Sequence, residues 1–254
     1  MVEPGIAWRV RPAPRSTGER AGGSVATRTY DVLLDQILTF RLKPYELVSE
    51  KAMAEALGVS RTPVREALAR LARVGLIDIY PQRGSVVAPL RLVDLEKSQF
   101  LREALEVGLV LRAVESADRM VLVQRLRDEL AVQETFAAIS DDRRFYKSDE
   151  ALHQHIAGHA GFPGIWADIM NAKLHMDRFR YLTFPRIDNM SIVLGQHRAI
   201  VDALAAGDRA AAEETMRSHL RRVLSVVHVA RERFPEYFDP ADMPRPAQGT
   251  APAT

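Results

Sequence analysis

The segment GVSRTPVREALARLARVGLIDIYPQRGSVV (58–87) reads as a helix that runs into a hairpin. Ser60 or Thr62 can cap the helix, and Pro63 is tolerated in a first turn, where its missing N–H would have no partner. LIDIYPQRGSVVAPL (76–90) then alternates as two strands about the turn Pro81-Gln82-Arg83-Gly84. Two helices come before it. SEKAMAEALG (49–58) is short, with Ser49 as its cap and Gly58 as its stop. RTYDVLLDQILTF (28–40) spaces Tyr30, Leu33, Leu34, Ile37 and Leu38 along one stripe. Three helices and a hairpin within residues 25–88 predict a winged helix-turn-helix.

In that layout the N-terminal end of the motif's second helix enters the major groove of DNA. Here that end carries Ser60, Arg61, Thr62 and Arg65, and the wing tip carries Arg83 and Gly84. Arginine suits guanine edges and phosphates, while hydroxyls and free helix N–H groups favour phosphate. The stretch 47–87, through its core GVSRTPVREAL and its wing GL…P.RG..V, resembles the winged helix-turn-helix of the GntR family of transcription regulators. The resemblance implies contact with double-stranded DNA by Lys51, Ser60, Arg61, Thr62, Arg65, Arg83 and Gly84. Arg70 and Arg73, later in the helix, are expected to be solvated or to pack.

From about Leu95 the pattern becomes long helical periods with short breaks and no strand. Helices are predicted near 95–117, 119–139, 143–160, 163–183, 189–206 and 208–234. The fold class is therefore mainly α: a winged helix-turn-helix (25–88), a joint (89–97), and an all-α antiparallel bundle of about six helices (98–234). A flexible basic arm (1–24) and a disordered tail (235–254) are expected at the ends, from their Pro-rich, aperiodic composition.

The bundle poses a chemical problem. In SDEALHQHIAGH (148–159), Asp149 and His153 share the helix face of Phe145, Leu152, Ile156 and Ala160, where a carboxylate is costly unless compensated. His197 sits in the stripe Met190, Val193, Leu194, Ile200 and Leu204, and His219 among Met216, Leu220, Val223 and Val226. Asp plus three His is a common ligand set for a divalent cation. His155, His159, His175 and His228 are taken as ordinary surface or structural histidines. A blander reading stays open, in which the four residues bind nothing and Asp149 pairs with an arginine.

This half resembles the FCD effector domain of the FadR-type branch of the GntR family, over residues 95–233 and at LREALE (101–106). That resemblance implies metal binding by Asp149, His153, His197 and His219, with zinc first and nickel, manganese or iron as alternatives. Arg102 is expected to point into the cavity, towards an anionic ligand. Arg102, Arg178 and Arg180 each either read a carboxylate or form surface salt bridges. The function that follows is a homodimeric repressor on a palindromic operator, controlled by a small organic acid bound at the metal. A metal-responsive regulator and a metal-dependent hydrolase are the alternatives. Against the hydrolase, no H-E-x-x-H helix, phosphate-cradling glycine loop or nucleophile elbow is present.

Composition adds bounds. The chain has 254 residues, 47% hydrophobic and 27% charged, with a net charge of +2, as in ordinary globular proteins. No apolar run approaches the roughly 20 residues of a membrane span. The N-terminus lacks a secretory signal, and the absence of cysteine excludes thiolate sites; a cytoplasmic location is expected.

Overall fold

The fold is that of a computed structural model, which describes residues 24–162, 164–183 and 190–243. The basic arm up to residue 23 and the end of the expected tail, 244–254, lie outside the described residues.

Ser24 caps α1 (Val25–Leu38) by accepting from Thr27 N at 3.1 Å. Tyr30, Leu33 and Ile37 of α1 pack in one core with Val64, Ala67, Leu68 and Leu71, the buried stripe of α3 (Arg61–Arg73). Between them α2 (Glu50–Leu57) is capped by Ser49 and stopped by Gly58, whose φ of 64° suits glycine. The wing pairs β2 (Ile77–Tyr80) with β3 (Gly84–Val87). A third strand, β1 (Leu47–Val48), adds to the other edge of β3. Two residues carry no period, so this strand was not legible in the sequence. The turn also closes one residue earlier than expected: Arg83 N donates to Tyr80 O, with Gln82 at φ 65°.

The second unit is all-helical, as expected. Its core joins α4 (Leu92–Glu115), α5 (Arg119–Ala138), α6 (Asp142–His159), α7 (Ile165–Ala172), α9 (Met190–Ala206) and α10 (Arg209–Arg221) through Val110, Leu126, Phe145, Leu152, Ile169, Ile200 and Met216. Two predicted helices prove to be broken. Residues 163–183 divide at Lys173 into α7 and α8 (Leu174–Thr183). Lys173 is fully buried there, its ammonium held by Glu150 and Asp177. Residues 208–234 pass through a 3₁₀ stretch, Arg222–Val226, into α11 (Val227–Arg233). Val223 and Val226 of that stretch pack on the cluster at the joint between the two units.

The joint differs from expectation in two ways. α4 already begins at Leu92, so most of the predicted linker is helix. The tail expected from residue 235 is structured to Met243, because its aromatic residues have somewhere to go. Phe238 is buried with Leu90, Leu95, Met176 and Phe179, and Tyr237 meets the Phe40 ring edge-on. Leu90 N donates to Tyr237 O, Asp239 N donates to Leu90 O, and Tyr45 Oη donates to Phe238 O at 2.7 Å.

Candidate metal centre and nucleic-acid interface

α6 buries Phe145, Leu152 and Ile156, and the same face carries Asp149 and His153 inward. α9 supplies His197 and the last turn of α10 supplies His219. All four are buried, and one donor atom from each lies within 4.8 Å of the others. The four residues singled out in the sequence therefore meet.

Each imidazole is fixed from behind by an oxygen. His153 Nδ1 lies 2.5 Å from Glu106 Oε2, and His197 Nδ1 lies 2.7 Å from Gln133 Oε1. His219 Nδ1 lies 3.3 Å from Gln196 Oε1. Gln133 Nε2 donates to Ser148 O at 3.1 Å, which orients that amide with its oxygen towards the ring. For His197, the oriented Gln133 oxygen at Nδ1 requires the proton there and leaves the Nε2 lone pair free. The Nε2 atoms lie together at the carboxylate: His153 Nε2 is 3.0 Å from His219 Nε2, and His197 Nε2 is 3.3 Å from Asp149 Oδ1. Asp149 Oδ1 and His197 Nε2 make no hydrogen bond. Buried, unpaired Asp149 Oδ1 and His197 Nε2, with two further imidazole nitrogens close by, are a donor set that a cation satisfies, so the residues present fit a divalent metal.

The question of what compensates Asp149 has a divided answer. Arg180 Nη1 donates to Oδ2 at 2.8 Å, and Oδ1 remains for the cation. Burial alone would raise the Asp149 pKa; Arg180, with His197 and His153, outweighs it and holds the carboxyl well below its usual range. Burial pushes His197 down, and burial with the neighbouring His197 and His153 pushes His219 well down. Both are thereby kept in the neutral form that ligates metal.

Arg102 also reaches the site. Its Nε lies 2.5 Å from Glu106 Oε1 and its Nη2 3.3 Å from His153 Nε2. Against the cost of burial, Arg102 and His153 bring the Glu106 pKa to about 2. The surface alternative for Arg178 and Arg180 is wrong: both are buried, because α8 is enclosed on nearly every side. Among the described residues, Arg178 bonds Pro89 O alone, at 3.5 Å, with its guanidinium carbon over the Phe40 ring. His155 and His159 stand apart beside Glu129 and Asp118. His228 is exposed, and His175 joins the two units through Nε2–H to Val74 O at 2.7 Å.

On the other unit, Lys51, Ser60, Arg61, Thr62, Arg65, Arg83 and Gly84 are all exposed. The Ser60 hydroxyl makes no cap bond and remains open. Arg61 Nη2 and Arg65 Nη2 converge on Glu50 Oε2 at 3.1 and 3.0 Å, and Arg65 Nε reaches Oε1 at 3.1 Å. Hydrogen bonds from Arg65, and then Arg61 against slight burial, lower the Glu50 pKa. Arg70 lies 3.9 Å over the Tyr30 ring, a packing role as expected.

Glu50, Glu106, Gln133 and Gln196 were not found by reading the sequence, and Arg180 was named without its partner Asp149. Two left a signal: Glu106 follows Arg102 by four residues, and Gln133 continues the buried stripe of Leu126 and Leu130.

Residues 25–87 match the model of the bacterial regulatory proteins of the gntR family, and residues 99–222 match the FCD domain. The chain is 37% identical over 217 residues to an uncharacterised HTH-type transcriptional regulator of Streptomyces ambofaciens, covering 85% of this chain and 91% of that one. It belongs to the GntR family, with an FCD domain. Another relative, the HTH-type transcriptional repressor RspR of Escherichia coli (strain K12), is 31% identical over 214 residues, 84% of this GntR-family chain and 93% of its own. The fold is similar to that of E. coli McbR/YncC, with a TM-score of 0.65 and 21% identity over 84% of this chain and 99% of that one. This family member is a transcriptional regulator and not an enzyme: the matching families and relatives are regulators. FCD domains are associated with metal binding, and the quartet here could hold an ion. Among the described residues no helix is long and apolar enough to cross a membrane.

Proposed function

We propose that this regulator represses transcription from a palindromic operator as a homodimer, and that a small carboxylate bound beside a divalent metal controls its DNA affinity. Asp149, His153, His197 and His219 are the metal ligands, with zinc the first choice for an N₃O set and nickel, manganese or iron next. Lys51, Ser60, Arg61, Thr62, Arg65, Arg83 and Gly84 are the DNA-contacting residues, and the protein acts in the cytoplasm with the chromosome. The observation that carries the metal half is the convergence of Asp149, His153, His197 and His219, all buried and each with a ligand atom within 4.8 Å of the others'. The bound cation would neutralise that carboxylate and offer remaining coordination positions to an acid. Arg102, buried 3.3 Å from His153 Nε2, favours an anion beside the metal over a reading in which the ion itself is the signal.

A physical route joins the sites. α8 places Leu174 in the winged-helix core, His175 on Val74 O just after α3, and Arg180 on Asp149. A ligand that changes how Asp149 and Arg180 share charge acts on the same rigid helix that touches α3. It regulates only through different affinities for the DNA-competent and DNA-incompetent states. For the dimer, Val93 and Phe100 on one face of α4 are 66% and 72% exposed, a large apolar area for a second copy to cover.

The test is a mobility-shift titration on the promoter fragment flanking the protein's own gene, with metal-loaded full-length protein and a panel of small carboxylates. One class of acid should release the wild type from DNA and leave Asp149→Ala unaffected. DNA affinity that follows free metal and ignores every acid would favour the metal-responsive reading.

A further inference from the structure

Glu50 opens α2, directly after the Ser49 cap, and its carboxylate reaches across to α3. Arg65 donates Nε–H to Oε1 at 3.1 Å and Nη2–H to Oε2 at 3.0 Å. Arg61 donates Nη2–H to the same Oε2 at 3.1 Å. Two guanidinium groups therefore share one oxygen at the end of α3 that carries the DNA-contacting side chains. The arginine side chains are 62% and 67% exposed against 25% for Glu50, so the carboxylate is the most recessed of the three.

Folding gives little reason for this arrangement. Exposed ion pairs contribute little to stability, and a carboxylate in the first turn of α2 would favour the helix dipole without touching either arginine. For binding, a negative charge at a surface that meets phosphates is a direct cost. What the contact supplies is orientation. An arginine holds five N–H groups in one planar fork. At Arg65 the carboxylate takes the edge formed by Nε and Nη2. The edge formed by Nη1 and Nη2 is left over, a second pair of parallel N–H groups in a plane that Glu50 fixes. That edge matches O6 and N7 of guanine. Without the shared oxygen the two cations repel each other, and each flexible stem settles on a nearby phosphate, which carries no sequence information.

We propose that Glu50 is a specificity-determining residue of the DNA-binding head: it holds Arg65, with Arg61 beside it, in the pose that reads a guanine edge. Glu50 acts through the arginines as a positioning residue, raising discrimination between sequences while lowering non-specific affinity. This rests on the reading of Arg61 and Arg65 as DNA contacts and deepens it.

Fluorescence anisotropy of the full-length protein on two duplexes tests it. One is an operator selected by the wild type from a random pool; the other is a scrambled duplex of the same length and composition. Glu50→Gln should bind the scrambled duplex at least as tightly as the wild type, and its ratio of operator to scrambled affinity should fall about tenfold. Glu50→Ala, which removes the anchor altogether, should do the same, and both should melt with the wild type. 7-Deazaguanine lacks the N7 acceptor; placed at each operator guanine in turn, it should weaken the wild type at one position and Glu50→Gln less at that position. An unchanged ratio in both variants, or equal losses on both duplexes, overturns the role of Glu50; the arginine contacts still stand if Arg65→Ala loses the operator. Operator binding that survives in Arg65→Ala overturns both readings.

Discussion

His197 Nδ1 donates to Gln133 Oε1 at 2.7 Å, and this contact sets which nitrogen of the ring faces Asp149. It makes Gln133 a positioning residue for the metal centre, although it touches no ion. Gln133→Leu should lower metal affinity about 10–100-fold while all four ligands remain. Competition with a chromophoric chelator reads this directly; unchanged affinity would mean that the ring orients itself.

Arg178 is fully buried, and two of its guanidinium nitrogens have no hydrogen-bond partner among the described residues. Burial, aided by Arg91, lowers its pKa to about 9. Among the described residues no carboxylate forms an ion pair with it, and Asp78 offsets its burial only in part, so the cation opposes folding. Arg178→Met should therefore stabilise the protein by about 1–4 kcal/mol, seen as a melting temperature raised by a few degrees. A lower melting temperature would point to an anionic partner at that guanidinium in solution.

The pH dependence of the chelated protein has a defined sign. His197 and His219 have folded pKa values below the ordinary 6.5, so the unfolded chain takes up protons that the folded state refuses. Their contribution to stability is complete above about pH 6.5 and is lost as pH falls through the lowered values. Urea midpoints measured from pH 8 to pH 5 should fall on the acid side. His197→Asn with His219→Asn should flatten that fall; an unchanged profile would assign it to other groups.

Arg61→Ala and Arg65→Ala should abolish operator binding and leave the circular dichroism spectrum and melting temperature intact, since both side chains are exposed on the surface of α3. If only the salt-sensitive, sequence-independent affinity drops, these arginines touch phosphate alone.

Phe100→Asp should shift the protein from dimer to monomer in sedimentation velocity, because a carboxylate in a covered apolar face is left unpaired. A dimer that persists would move the interface elsewhere on the helical unit.

The sequence revealed the parts of this molecule that follow a period. The winged helix-turn-helix was legible because α1 and α3 each show one apolar stripe and Gly58 sits where a left-handed cap is needed. Asp149, His153, His197 and His219 were legible because each interrupts an apolar face. The burial of Arg180 against Asp149 was not, for the converse reason. From Met176 to Thr183 every residue of α8 but Tyr181 is buried, so no polar face distinguishes a buried arginine from a solvated one. The end of the chain misled similarly: the prolines of FPEYFDPADM (234–243) suggested a tail, while its aromatic residues close the joint between the two units.

Metal analysis of protein purified without chelator bears most directly on the convergence of four side chains around a cation. One divalent ion per chain is expected in the wild type, with little in Asp149→Ala or His219→Ala and a lower melting temperature for both. A wild-type protein that carries no ion and takes up neither zinc, nickel, manganese nor iron would contradict it, as would variants that retain the wild-type content.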